Sequence, residues 1–95
     1  MAAYIIADLD IKDREGFANY TAQVPDIIAK HGGKYIVRGG EFEIVEGDWD
    51  AHRIIIMEFP DMAALRRFWD ADEYKEILPL RLDNADSRVL FVDGV

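Results

Sequence analysis

The 95 residues include no cysteine and carry a net charge of -8, with 19 acidic against 11 basic side chains. The absence of cysteine excludes disulfides, thiolate metal sites and a thiol nucleophile; the acidic balance argues against a nucleic-acid binder and against attachment to anionic membrane. A chain this short has room for one domain, residues 1–95, and its 51% hydrophobic content predicts that a partner chain covers some of the apolar surface.

No apolar run approaches the ~20 residues of a membrane-spanning helix. The opening MAAYIIADLD lacks a basic n-region and meets acid by Asp8, so a secretory signal is not expected and a cytoplasmic location is. Ala2 to Leu9 is an apolar, β-branched run that suits a strand. Asp13 then caps a helix, with Glu15 in its first turn, where the helix dipole favours negative charge. Phe17, Tyr20, Val24, Ile27 and Ile28 recur at three- and four-residue spacing and form its apolar stripe. Pro25 is expected to kink this helix without ending it, since the stripe resumes beyond it. His31-Gly32-Gly33 closes it.

Lys34 to Arg38 and Phe42 to Val45 read as one strand, bent by a bulge at Gly39-Gly40. Gly47 to Asp50 turns the chain, and His52 to Phe59 returns antiparallel. Asp61 caps a second helical region with the stripe Met62, Leu65, Phe68 and Trp69. A further helix starting at Asp70 or Asp72 carries Tyr74, Ile77, Leu78 and Leu82 and bends near Pro79. Ser87 to Asp93 is the final strand.

The order β-α-β-β-α-β is that of an α+β, ferredoxin-like unit, a four-stranded antiparallel sheet with helices on one face. Alternation places Ile5, Ala7, Leu9, Tyr35, Val37, Ile55, Met57, Phe59, Val89 and Phe91 under the helices. The opposite face collects Tyr4, Ile6, Asp8, Ile36, Arg38, Ile54, Ile56, Glu58, Arg88, Leu90 and Val92. That second face is too apolar for a monomer in water, so two sheets packed about a two-fold axis are expected, giving a homodimer.

The runs GGKYIVRGG, EGDW and RIIIMEFPDMAALRRFWDADEY, followed by Arg81 and a last strand ending VDGV, resemble the domain of unknown function 1330 family over nearly the whole chain. The resemblance implies a dimeric α+β barrel in which two ferredoxin-like units face each other through their sheets. It implies no particular activity, because the wider superfamily includes cofactor-independent monooxygenases, haem-degrading enzymes, lactone isomerases and stress-response proteins.

Among chemistry-bearing residues, Arg38 ends a strand beside two glycines, and its fork suits a carboxylate, enolate or other small oxyanion. A salt bridge to Glu58, Asp8 or a partner-chain acid is the alternative. Tyr4, Trp49, Trp69, Tyr74 and Arg81 are further candidate ligand contacts, although Trp69 also falls on a core stripe and Arg81 also suits a helix end. His31 is expected to cap helix carbonyls, and His52 to lie at a strand edge. Neither histidine has a second ligand at metal spacing, so no metal site and no resident cofactor are expected. The acidic string Glu41 to Asp50 lacks the calcium-loop pattern, Ser87 lacks a nucleophile elbow, and no phosphate loop or dinucleotide fingerprint occurs.

Two functions remain open. One is a homodimeric protein that binds a small organic acid or phenolic compound. In an enzymatic version of it, Arg38 stabilises an enolate-like oxyanion, with His52 or Glu58 as proton acceptor. The other is a non-catalytic interaction or stress-response module with a packed inter-sheet interface.

Overall fold

The computed structural model describes residues 1–95 as eight elements: β1 (Ala3–Ile11), α1 (Arg14–Thr21), α2 (Val24–Lys30), β2 (Lys34–Arg38), β3 (Ile54–Phe59), α3 (Met62–Asp70), α4 (Asp72–Leu82) and β4 (Ala85–Asp93). The strands form one sheet in the order β2-β3-β1-β4, each pair antiparallel. This is the ferredoxin-like α+β arrangement, with each crossover built from two helices instead of one. No helix is long and apolar enough to cross a membrane.

β1 occupies the interior of the sheet because its alternation is strict. Ala3, Ile5, Ala7 and Leu9 are all buried under the helices, while Tyr4, Ile6 and Asp8 face the other way. Ile5 stands opposite Met57 on β3 and Phe91 on β4, and Ala7 opposite Ile55 and Val89. A slip of one residue would drive Asp8 into the core, which pins the register. The helices contribute Phe17, Tyr20, Val24, Ile28, Leu65, Phe68, Tyr74 and Ile77 to the same layer. An aromatic line joins it together, with Phe59 and Phe68 5.3 Å apart and Phe68 and Tyr74 4.6 Å apart between ring centroids.

Asp13 and Asp61 act as the expected N-caps, accepting from the backbone N–H groups of Gly16 (3.2 Å) and Ala64 (2.8 Å). Pro25, however, does more than kink a helix. It stands in the first turn of α2, after Thr21 has already ended α1. Proline has no N–H to donate backwards but is preset for a helix start, so the stripe continues across a break. α4 continues through Pro79, and the stripe it buries is Tyr74, Ile77 and Arg81, with Leu82 left exposed.

The largest departures lie between β2 and β3. Phe42 to Val45 is not a strand. Gly39 takes a positive φ of 68° and turns the chain out of the sheet, and β3 begins only at Ile54, so nothing lies opposite residues 42–45 to complete a ladder. Phe42, Ile44 and Trp49 instead border a groove over Ile6, Ile54 and Ile56 on the open sheet face. The bulge also lies earlier than the glycines. Tyr35 pairs with Met57, but Val37 pairs with Ile56 and Arg38 with Ile55, so the register shifts within Tyr35–Val37. One extra residue reverses the facing of everything after it. Val37 therefore joins Ile56 on the open face, and Arg38 joins Ile55 on the helix face, opposite to the expected placement of both.

Candidate functional site

The reversal at the bulge brings Arg38 to a cavity between the sheet and helices α1, α3 and α4. Its walls include Ile5, Phe17, Tyr20, Tyr35, Ile55, Trp69 and Tyr74, and its charged residues are Arg38, Arg53 and Arg81. No Asp or Glu lines it. In a chain of net charge -8, three arginines and no carboxylate around one apolar space is a strong local inversion of sign.

Arg81 lies at the inner end. It falls on the buried stripe of α4, seven residues after Tyr74 and four after Ile77, and only 5% of its surface is accessible. Its guanidinium carbon lies 5.7 Å from the centroid of the Trp69 ring, within cation–π range. It forms no ion pair, and its buried Nε has no hydrogen-bond partner. A buried cation without a counter-charge is costly to keep, so arginines of this kind are ordinarily paired.

Three tyrosines surround the same space. The hydroxyls of Tyr20 and Tyr74 are 2.9 Å apart. Burial, first, and the neighbouring Tyr74 hold the Tyr20 phenol far above its ordinary range, against the pull of Arg81's charge. Burial likewise raises the Tyr35 phenol, opposed by the charges of Arg38 and Arg53. The Tyr20 and Tyr35 phenols thus remain protonated at neutral pH and offer O–H donors. The arrangement suits an anion: hydroxyl donors in an apolar wall and unpaired guanidinium groups.

At the mouth, Arg38 lays its guanidinium 4.4 Å from the Tyr35 ring centroid. Arg53 is aimed by its backbone. Asp8 Oδ1 accepts from the N–H groups of His52 (2.8 Å) and Arg53 (3.1 Å), while Asp8 Oδ2 accepts from Arg88 at 2.7 Å. Burial works to raise the Asp8 carboxyl, but these hydrogen bonds outweigh it and hold the group below its ordinary range. The Arg53 side chain passes over Gly39 so closely that a Cβ there would collide with its Nη1. Gly39 therefore meets two demands, a left-handed backbone and room for Arg53.

Of the candidates read from the sequence, Arg38, Trp69, Tyr74 and Arg81 come together here. The others lie elsewhere. Tyr4 and Glu58 are on the open sheet face, where the Tyr4 hydroxyl donates to Glu58 at 3.0 Å and Lys34 pairs with Glu58 at 3.3 Å. Trp49 is 66% exposed beside that same face. His52 lies outside the cavity, 3.7 Å from Asp10. Neither Asp8 nor Glu58 is the partner of Arg38. His31 bonds Glu73 on α4 at 3.1 Å instead of capping carbonyls. Tyr20, Tyr35 and Arg53 were missing from the expected set. The spacing of Tyr20 assigns it to a core stripe, and Arg53, beside His52 at a strand start, carries no signal of its own.

The chain belongs to the family described as Domain of unknown function (DUF1330), whose profile matches residues 2–95. No curated protein matches it in sequence. Among solved structures, a protein of unknown function from Rhodopseudomonas palustris is similar with a TM-score of 0.78 at 21% identity, over 99% of this chain and 82% of that one. A dimeric ferredoxin-like protein of unknown function from Jannaschia sp. CCS1 is similar with a TM-score of 0.72 at 11% identity, over 99% of this chain and 100% of that one. SnoaB, a cofactor-independent oxygenase from Streptomyces nogalater, is similar with a TM-score of 0.71 at 14% identity, over 99% of this chain and 93% of that one. At these identities the likeness is one of fold.

Proposed function

We propose that the chain is one domain that acts as a homodimer and binds a small organic anion, a carboxylate or phenolate, in the cavity between its sheet and its helices. The observation that carries this reading is Arg81, buried, unpaired and directed at an apolar space that holds no acid. A bound anion supplies the missing counter-charge, and whichever of the paired Tyr20 and Tyr74 hydroxyls does not donate to the other supplies a hydrogen bond to it. The dimeric part rests on the open sheet face, where Ile36, Leu90 and Val92 remain exposed.

The test is a titration of benzoate and hexanoate, followed by NMR, against the parent and Arg81→Met. Binding in the parent that perturbs the Trp69 indole and vanishes in Arg81→Met supports the reading. Identical perturbations in both proteins, or none in either, sink it.

A further inference from the structure

We propose that the ligand is a dianion, with one anionic group held at the inner end by Arg81 and the second held at the mouth by Arg53 and Arg38. This rests on the anion-binding reading of the cavity and narrows its substrate class to small dicarboxylates and their like.

The volume of the site sets the first constraint. The cavity is partly open and measures about 40 Å³. That exceeds the roughly 10–15 Å³ needed by one water, but it is too small for the body of an organic acid. It takes a compact headgroup. The cavity shares Leu9, Phe17, Thr21 and Arg53 as walls with a neighbouring open groove of about 510 Å³ lined by β1, α1 and the residues just before β3. The body of the ligand then lies in that groove, and whatever stands at its far end meets the charges there.

Those charges are mainly positive. Arg53 belongs to the walls of both spaces, Arg38 to the mouth of the inner one, and Arg14 to the groove. None of Arg38, Arg53 and Arg81 is paired with a carboxylate. The one acid on the groove, Asp10, is already engaged by Lys12 at 2.7 Å and faces His52 at 3.7 Å. A monoanion neutralises Arg81 and leaves the mouth unsatisfied. A dianion answers both ends.

Overall charge makes the proposal sharp, because a protein of net charge -8 repels a dianion more than a monoanion at long range. Any preference for the dianion must therefore come from the arginines at the site. The test compares butanoate with succinate, and hexanoate with adipate, by calorimetry at fixed ionic strength. It uses the parent, Arg53→Gln, Arg53→Lys and Arg81→Met. The expected result is at least tenfold tighter binding of each diacid than of its matched monoacid. Arg53→Gln should lose most of that preference while still binding the monoacid, Arg53→Lys should keep much of it, and Arg81→Met should bind neither. Equal affinities for diacid and monoacid in the parent, or a preference unchanged in Arg53→Gln, overturn the dianion while leaving an anion site in place. No binding of any of the four acids overturns the anion site as well.

Discussion

The hydroxyls of Tyr20 on α1 and Tyr74 on α4 lie 2.9 Å apart, tying the two helices that wall the cavity to each other. Both rings are buried, so removing one hydroxyl strands the other. Tyr20→Phe and Tyr74→Phe should each cost about 1–3 kcal/mol, the usual penalty of an unsatisfied buried polar group. The double variant should cost clearly less than the sum, since it removes both partners together. Urea unfolding at one protein concentration measures all four corners of the cycle. Additive losses would mean that the pair carries no coupling.

Arg81 opposes stability in the empty protein. Replacing a buried charge with an apolar side chain of similar length is often neutral or stabilising by about 1–4 kcal/mol. Arg81→Met should therefore leave the melting temperature unchanged or raise it, while abolishing anion binding. A large loss of stability on this substitution would show that the guanidinium is structural, supporting the fold through Trp69.

The two adjacent glycines should behave differently. Gly39 has φ 68° and the Arg53 guanidinium where a Cβ would sit, whereas a Cβ on Gly40 would meet nothing within 4 Å and Gly40 has no positive φ. Gly39→Ala should cost more than ~1 kcal/mol and weaken diacid binding by displacing Arg53. Gly40→Ala should stay within about 0.5 kcal/mol of the parent. Equal thermal shifts in both would contradict this division.

That contrast also shows where the sequence was legible. Strict alternation in β1 and β3 and the stripes on α1, α2 and α3 are long-range patterns, and they define which face is buried. The bulge at Tyr35–Val37 is a single inserted residue, and alternation across five residues of β2 looks the same with or without it. The chemistry of Arg38 is therefore legible in the sequence, but simple alternation puts it on the wrong face. Arg81 was hidden differently. Its position on the Tyr74–Ile77 stripe is plain by spacing, but an arginine on a core stripe contradicts hydrophobic patterning, and Leu82 looked the better core residue. Where the pattern fails in this way, a site is the physical reason to expect.

Asp8 ties the starts of two strands together, and its contribution should depend on pH. Burial works to raise its carboxyl in the folded protein, but hydrogen bonds from the His52 and Arg53 N–H groups and from the Arg88 guanidinium hold it below the ordinary range. A depressed folded pKa stabilises the protein above the unfolded value of about 3.9. That contribution disappears as pH falls through the lower, folded value. Asp8→Asn should therefore be less stable than the parent at pH 7, and the gap should narrow progressively as pH falls below the unfolded value of about 3.9. A gap that is constant from pH 7 to pH 2.5 would assign the effect to geometry instead of charge.

The open face predicts the assembly. On it Leu90 stands opposite Ile6 and is 54% exposed, with Ile36 and Val92 also uncovered, and beside it Val45 and Trp49 project from the β2–β3 segment. A contiguous apolar surface of this kind exceeds what a lone soluble chain ordinarily leaves bare, and a stable pair needs only about 800 Å² from each partner. Light scattering at micromolar concentration should give about twice the chain mass of 10.9 kDa. Leu90→Asp places a charge amid that face, where a dimer must desolvate it but a monomer leaves it in water. The variant should therefore scatter as a single chain while keeping the far-ultraviolet dichroism of the parent, because the position is already exposed within one chain. A parent that is monomeric at that concentration would overturn the pairing, and a Leu90→Asp variant that still pairs would place the interface elsewhere.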